Sequence, residues 1–114
     1  AHKGRTKRTE ILYHRGGCAY IYLCYGIHHL LNVVCGEEDV PQAVLIRGAG
    51  QYDGPGKLTR ALQIDMALNS ADFMTSDELW LEQGAVLPYT QTPRIGIQYA
   101  DEADRNALWR FVAK

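Results

Sequence analysis

The sequence predicts an α+β fold in a single domain over residues 1–114, and three observations carry the prediction. Strand-forming runs follow one another across short turns from Cys18 to Arg47; one segment from Lys57 then changes to helical period; and short strand-forming runs return toward the C-terminus. Strands joined as hairpins, rather than alternating with crossover helices, point away from a parallel α/β sheet. No internal repeat, low-complexity tract or long linker divides the chain.

Residues 1–9 read as an extended basic arm, after which Thr9 is placed to cap a short helical turn through Glu10, Leu12 and Tyr13 that stops at Gly16-Gly17. Cys18-Ala-Tyr-Ile-Tyr-Leu-Cys-Tyr25 is rich in strand formers and contains no Pro or Gly. Gly26 breaks it, and His28 to Cys35 reads as the return strand of a β-hairpin turning near Tyr25-Gly26-Ile27. Gly36 to Pro41 is acidic and carries both Gly and Pro, so a turn is expected there. Ala43 to Arg47 follows as a third, mostly buried strand, and then a glycine-bearing loop from Gly48 to Gly56. From Lys57, the residues Leu58, Ala61, Leu62 and Met66 recur at helical spacing, with Arg60 and Gln63 on the other face. Leu79-Trp80-Leu81, Arg94 to Tyr99 and Trp109 to Val112 are short strand candidates.

Composition narrows the class. A hydrophobic share of 46% is enough for one core and argues against disorder. No apolar run approaches the roughly 20 residues of a membrane span, and the N-terminus is too basic for a signal peptide. A soluble intracellular chain without membrane contact is expected. Cys18, Cys24 and Cys35 are odd in number and form no Cys-x-x-Cys pair, so reduced, packed thiols are expected rather than a disulfide framework or a zinc site. The chain opens at Ala1-His2-Lys3 without an initiator methionine, as a fragment or a processed product would.

The net charge of −1 hides an asymmetry, because residues 1–15 hold Lys3, Arg5, Lys7, Arg8 and Arg15 against Glu10 alone. Such a strip can hold a polyanion, although charge by itself favours a merely solvated terminus. In the first hairpin strand Tyr20, Tyr22 and Cys24 alternate with Ile21 and Leu23, and Tyr25 beside Gly26 can project from the tip. Tyrosine faces suit base stacking, but strand aromatics more often fill cores. His28 and His29 are adjacent, point to opposite faces of a strand and cannot share a metal without distortion. Gly54-Pro-Gly-Lys57 lacks the Walker spacing; a single phosphate site and an ordinary turn into a helix are both open readings. No catalytic base stands out among the carboxylates, most of which sit in solvated runs such as Glu37-Glu38-Asp39.

Several segments in order resemble the alkyladenine (3-methyladenine) DNA glycosylase family: Ala1-His2, Arg5-Thr-Lys-Arg8, Ala19 to His29, Leu31-Asn-Val-Val34, Ala43 to Arg47, Gly54-Pro-Gly-Lys-Leu58, Thr92 to Ile97 and Trp109-Arg-Phe111. The resemblance implies an antiparallel, partly open barrel-like sheet with peripheral helices, similar to formyltransferase C-terminal domains, of which this chain is the C-terminal portion. It implies base-excision repair by a monofunctional DNA glycosylase that needs neither metal nor cofactor. Such an enzyme acts as a monomer on double-stranded DNA containing damaged purines, in the cytoplasm or nucleoid of a bacterium or the nucleus of a eukaryote. Position by position, it implies that Tyr25 wedges into the space left by a flipped nucleotide and that Tyr22 and His2 wall the base pocket. Asn32 then disfavours normal guanine, and Arg47 lies close to the attacking water. Arg5, Lys7, Arg8, Gly26, Ile27 and Lys57 are implied to contact the DNA backbone. His28 stands where the family often has a tyrosine.

In that family the water-activating glutamate and a third aromatic wall lie upstream of the segment equivalent to Ala1-His2. Glu10 does not match the catalytic position. This chain alone is therefore expected to bind DNA weakly and excise little or nothing. Two rival readings are a non-catalytic nucleic-acid-binding module that lacks the glutamate, and a formyltransferase-like accessory domain.

Overall fold

Alternating strand formers and a Gly at the turn produce the first and longest pairing of the chain. In the computed structural model, which describes residues 9–82, 84, 87–95 and 106–113, β1 (Ala19–Cys24) pairs antiparallel with β2 (His28–Val34), from Ala19↔Val33 to Cys24↔His28. Strand β3 (Ala43–Leu45) adds to the other side of β2, giving the order β1-β2-β3. Two small hairpins follow: β4 (Gly48–Ala49) with β5 (Tyr52–Asp53), and β6 (Tyr89–Thr92) with β7 (Arg110–Ala113). An α-helix, α1 (Pro55–Ala61), lies between them in sequence. This is an α+β arrangement of open antiparallel sheets, with no closed barrel among the described residues.

The chain divides into two compact units, Ala1–Leu81 and Glu82–Lys114. In the first, one face of the hairpin supplies Ala19, Ile21 and Leu31 to a buried cluster completed by Ile64 and Phe73, with Val33, Ile46, Leu68, Ala71 and Leu79 packed around it. Burying a side chain such as Ile21 contributes about 1.5–3 kcal/mol. In the second unit Tyr89 meets Phe111 edge to face across β6 and β7, and the Arg94 guanidinium lies 5.3 Å from the Trp109 ring centroid.

The outer edge of β1 is closed by the segment after the helix. Ala19 N–H donates to Ala71 C=O at 2.8 Å, Ser70 N–H donates to Ala19 C=O at 2.8 Å, and Phe73 N–H donates to Gly17 C=O at 2.9 Å. Two residues further along β1, the Asn69 side-chain oxygen accepts the Ile21 N–H at 2.9 Å. An uncovered strand edge invites pairing with other chains, and here side chain and backbone together cover it.

Several expectations are corrected. The helical pattern stops at Ala61 because Gln63 adopts φ +56°. Ile64 N–H then donates to Thr59 C=O and Gln63 N–H to Arg60 C=O, a helix-ending reversal that carries Ile64 into the core and leaves Leu62 and Met66 exposed. Thr9 precedes the expected turn, a 3-10 turn over Glu10–Tyr13, but makes no side-chain cap bond to it. Strand β3 ends at Leu45 and is an edge strand, so Ala43 and Val44 face solvent instead of being buried. The Gly48–Gly56 loop contains the β4–β5 hairpin, closed around Gly50 at φ +59°.

Further along, Leu79-Trp80-Leu81 is not a strand: the Ser76 hydroxyl accepts the N–H groups of Glu78 and Leu79, bending the chain there. The strand expected over Trp109–Val112 lies one residue later. Of the candidate from Arg94 to Tyr99, Arg94 and Ile95 belong to no strand and the rest falls outside the described residues. Strand β6 was not expected. The three cysteines are free, as expected, but Cys35 is exposed rather than packed.

Candidate nucleic-acid interface

The tip of the β1–β2 hairpin presents an aromatic ring to solvent. Tyr25 has φ +53° and Gly26 φ +70°, and Ile27 N–H donates to Cys24 C=O at 3.1 Å, closing a turn whose two central residues are both left-handed. Such turns match the right-handed twist of the flanking strands. Glycine accepts this conformation without cost, whereas a tyrosine in it bears about 1–2 kcal/mol. Tyr25 is 92% exposed and Ile27 71%. A strained and unburied tip contributes little to the core.

Register decides what lies behind the tip. Tyr20 stands opposite Asn32 and Tyr22 opposite Leu30, so these four share the sheet face turned away from Ile21 and Leu31. Tyr20 is buried, and its ring meets that of Tyr22 edge to face with centroids 6.4 Å apart. This fixes Tyr22, which is 36% exposed, as the ring available at the surface. Asn32 is half-buried, and its side-chain nitrogen donates long hydrogen bonds of 3.3 Å to Tyr20 C=O and 3.4 Å to Leu30 C=O.

Ile46 N–H donates to Leu31 C=O at 2.9 Å and its side chain packs on the core, one residue past the last paired residue of β3. Arg47 follows it and is half-buried. Arg47 C=O accepts Gly54 N–H at 2.8 Å, which ties this point to the start of α1. There Gly54 has φ +127°, Pro55 opens the helix and Lys57 is exposed.

The structure thus sets Tyr22 and Asn32 on one face and Tyr25, Gly26 and Ile27 at the tip, with Arg47 half-buried just beyond the end of β3. Of the other expected site residues, His2, Arg5, Lys7 and Arg8 lie outside the described residues. His28 and His29 are half-buried on opposite faces, and no group of three or more possible metal ligands occurs among the described residues. No helix among them is long and apolar enough to cross a membrane.

Three features escaped the sequence. An open cavity of about 640 Å³ lies along the outer edge of β1, lined by Glu10, Ile11, Tyr20, Ile21, Leu23, Met66 and Asn69; neither Tyr22 nor Asn32 lines it. Asn69 and Thr59 each bond the backbone of the hairpin from a distant segment, and no local pattern announces either contact. At the base of β1, burial and then the negative charge of Asp72 push the Cys18 thiol pKa above its ordinary value, the Cys18 backbone hydrogen bond opposing them.

Comparison with known proteins supplies the kinship. The family model described as methylpurine-DNA glycosylase matches residues 1–54 and 49–114. A protein of Borreliella afzelii is 42% identical over 120 residues, covering 94% of this chain and 64% of its own length. One of Psychrobacter cryohalolentis is 42% identical over 138 residues, covering 98% and 65%. One of Natranaerobius thermophilus is 36% identical over 135 residues, covering 94% and 66%. All three are provisionally named 3-methyladenine DNA glycosylase, and the chain spans just under two thirds of the length of each. Matches over nearly its whole length establish that this chain belongs to the methylpurine-DNA glycosylase family.

Proposed function

We propose that the protein carrying this chain removes alkylated or deaminated purines from double-stranded DNA, by flipping the damaged nucleotide out of the duplex and hydrolysing its N-glycosidic bond. The observation that carries this reading is the hairpin itself: a solvent-facing Tyr25 at a left-handed tip, with Tyr22 and Asn32 on one face behind it. Tyr25 fills the gap left by the extruded base and offsets part of the few kcal/mol lost on unstacking. Tyr22, with His2, walls the pocket. Asn32 crowds the exocyclic amine of guanine, and Arg47 lies near the attacking water.

Damage is selected partly by charge. Alkylation at N3 or N7 makes a purine cationic, which strengthens its stacking on the electron-rich tyrosine face and improves it as a leaving group. Arg5, Lys7, Arg8 and Lys57, with the backbone at Gly26 and Ile27, hold phosphates without reading sequence. The chain is the C-terminal portion of one glycosylase domain whose sheet is completed to a partly open barrel in the whole protein. That protein is a monomer working without metal or cofactor, and the 114-residue chain alone is close to inactive.

The test is release of 3-methyladenine or hypoxanthine from duplex DNA by the full-length protein. Excision of either supports the reading. A folded preparation that binds DNA and releases neither overturns it in favour of a non-catalytic binding module.

A further inference from the structure

The hairpin that bears Tyr25 is fastened from one side by the helix. Alternate backbone groups of β2 face β3: Leu31 C=O accepts Ile46 N–H, and by the two-residue period His29 C=O points the same way. Strand β3 does not reach that far, since its pairing with β2 runs from Val34↔Ala43 to Asn32↔Leu45. The Thr59 hydroxyl occupies the next place, donating to His29 C=O at 2.7 Å. Its alternative acceptor, Gly56 C=O of the same helix, is longer at 3.2 Å. Thr59 is 2% exposed and His29 half-buried, so the hydroxyl has little access to water as a substitute partner.

One turn earlier, Gly56 lies against the imidazole of His28, where an added Cβ would stand 3.1 Å from Nδ1. Two successive residues of β2, the first after the turn, are thus held by two residues of α1 spaced three apart. Ile27, His28, His29, Gly56, Thr59 and Arg60 are among the residues lining an open cavity of about 120 Å³ at this junction. Lys57 and Arg60, also three apart, are exposed on the helix.

We propose that α1 is a clamp for the wedge and that Thr59 is its positioning residue. By bonding His29 it holds the turn Tyr25-Gly26-Ile27 in a fixed relation to the cations Lys57 and Arg60, so that anchoring those cations on DNA phosphates determines where Tyr25 enters the duplex. The proposal rests on the reading of Tyr25 as the intercalating residue.

In the full-length protein, Thr59→Val keeps the side-chain shape and removes the hydroxyl. Amide exchange at Cys24 and His28, the last pair before the turn, is expected to speed up about tenfold, the scale of one lost hydrogen bond. Ala19 and Val33, at the far end of the ladder, keep their rates, and Thr59→Ser restores the wild-type pattern. The preference for a duplex containing a tetrahydrofuran abasic analogue over undamaged duplex falls in parallel. If Thr59→Val does not fold, Gly56→Ala, which presses on His28, provides the same local loosening. Exchange that speeds up uniformly along both strands, or not at all, overturns the clamp. A wild-type protein that binds both duplexes equally overturns the wedge reading instead, whatever the exchange rates are.

Discussion

The side-chain oxygen of Asn69 accepts the backbone N–H of Ile21 at 2.9 Å, across a sequence separation of 48 residues. Ile21 is among the most buried side chains of the chain, and its amide points to the edge of β1 that has no neighbouring strand. Truncation by Asn69→Ala strands that donor in a partly buried place. The expected loss is about 1–3 kcal/mol, read from the urea midpoint, with Asn69→Asp retaining more stability than Asn69→Ala. Equal midpoints for all three proteins would mean that water replaces the amide.

Tyr25 gives stability and binding opposite dependence on one side chain. Because it is almost fully exposed, Tyr25→Ala should leave the unfolding midpoint within about 0.5 kcal/mol of wild type. Affinity of the full-length protein for duplex with an extrahelical base should weaken by about 1–3 kcal/mol, the scale of one aromatic stack. Unchanged affinity, measured by fluorescence anisotropy, would remove the ring from the interface.

Gly26 tests the backbone of the tip separately from its ring. Its φ is +70° and an added Cβ would meet nothing within 4 Å, so any penalty comes from conformation and not from a clash. Gly26→Ala should cost about 1–2 kcal/mol, and Gly26→Asn distinctly less because asparagine tolerates the left-handed region. Thermal unfolding of the two variants side by side decides it; equal loss in both would point to a contact instead.

The cysteines differ in environment. Cys35 is exposed, whereas burial and Asp72 hold the Cys18 thiol in its protonated form beyond the usual range. A disulfide reagent near pH 8 should therefore modify Cys35 first and Cys18 more slowly. A folded-state pKa raised above the unfolded value favours folding fully at pH below the unfolded value of about 9.0 and loses that contribution as pH rises through the folded value. Asp72→Asn should accelerate Cys18 modification; an unchanged rate would leave burial as the sole cause.

Much of the hairpin was legible because its determinants are local. Period-two alternation from Ala19 to Cys24 and the glycine at position 26 place both strands and the turn within a residue of their observed bounds. The helix was legible as an element, but it opens at Pro55, two residues ahead of the expected Lys57, since proline suits a first helical turn, and it was not legible at its end. There a left-handed Gln63, a residue type that gives no such signal, stops it, and Ile64 enters the core in place of the regularly spaced Leu62. The burial expected of β3 failed because an apolar run does not say whether a strand lies at the centre or the edge of a sheet.

By itself, then, the sequence determined the tyrosine hairpin, the place of its turn and, through ordered motifs along the chain, its family. Only the tertiary structure decided which tyrosine is buried and which is presented, since Tyr20 and Tyr22 share one face and are distinguished only by what packs beside them. It also decided how the hairpin is held: Asn69 closes one edge and Thr59 the other, from 48 and 30 residues away in sequence. The physical reason is that strand alternation and turn conformation are set by neighbours in the chain, whereas a backbone group left unpaired at a sheet edge takes whichever distant side chain the folded chain brings within reach.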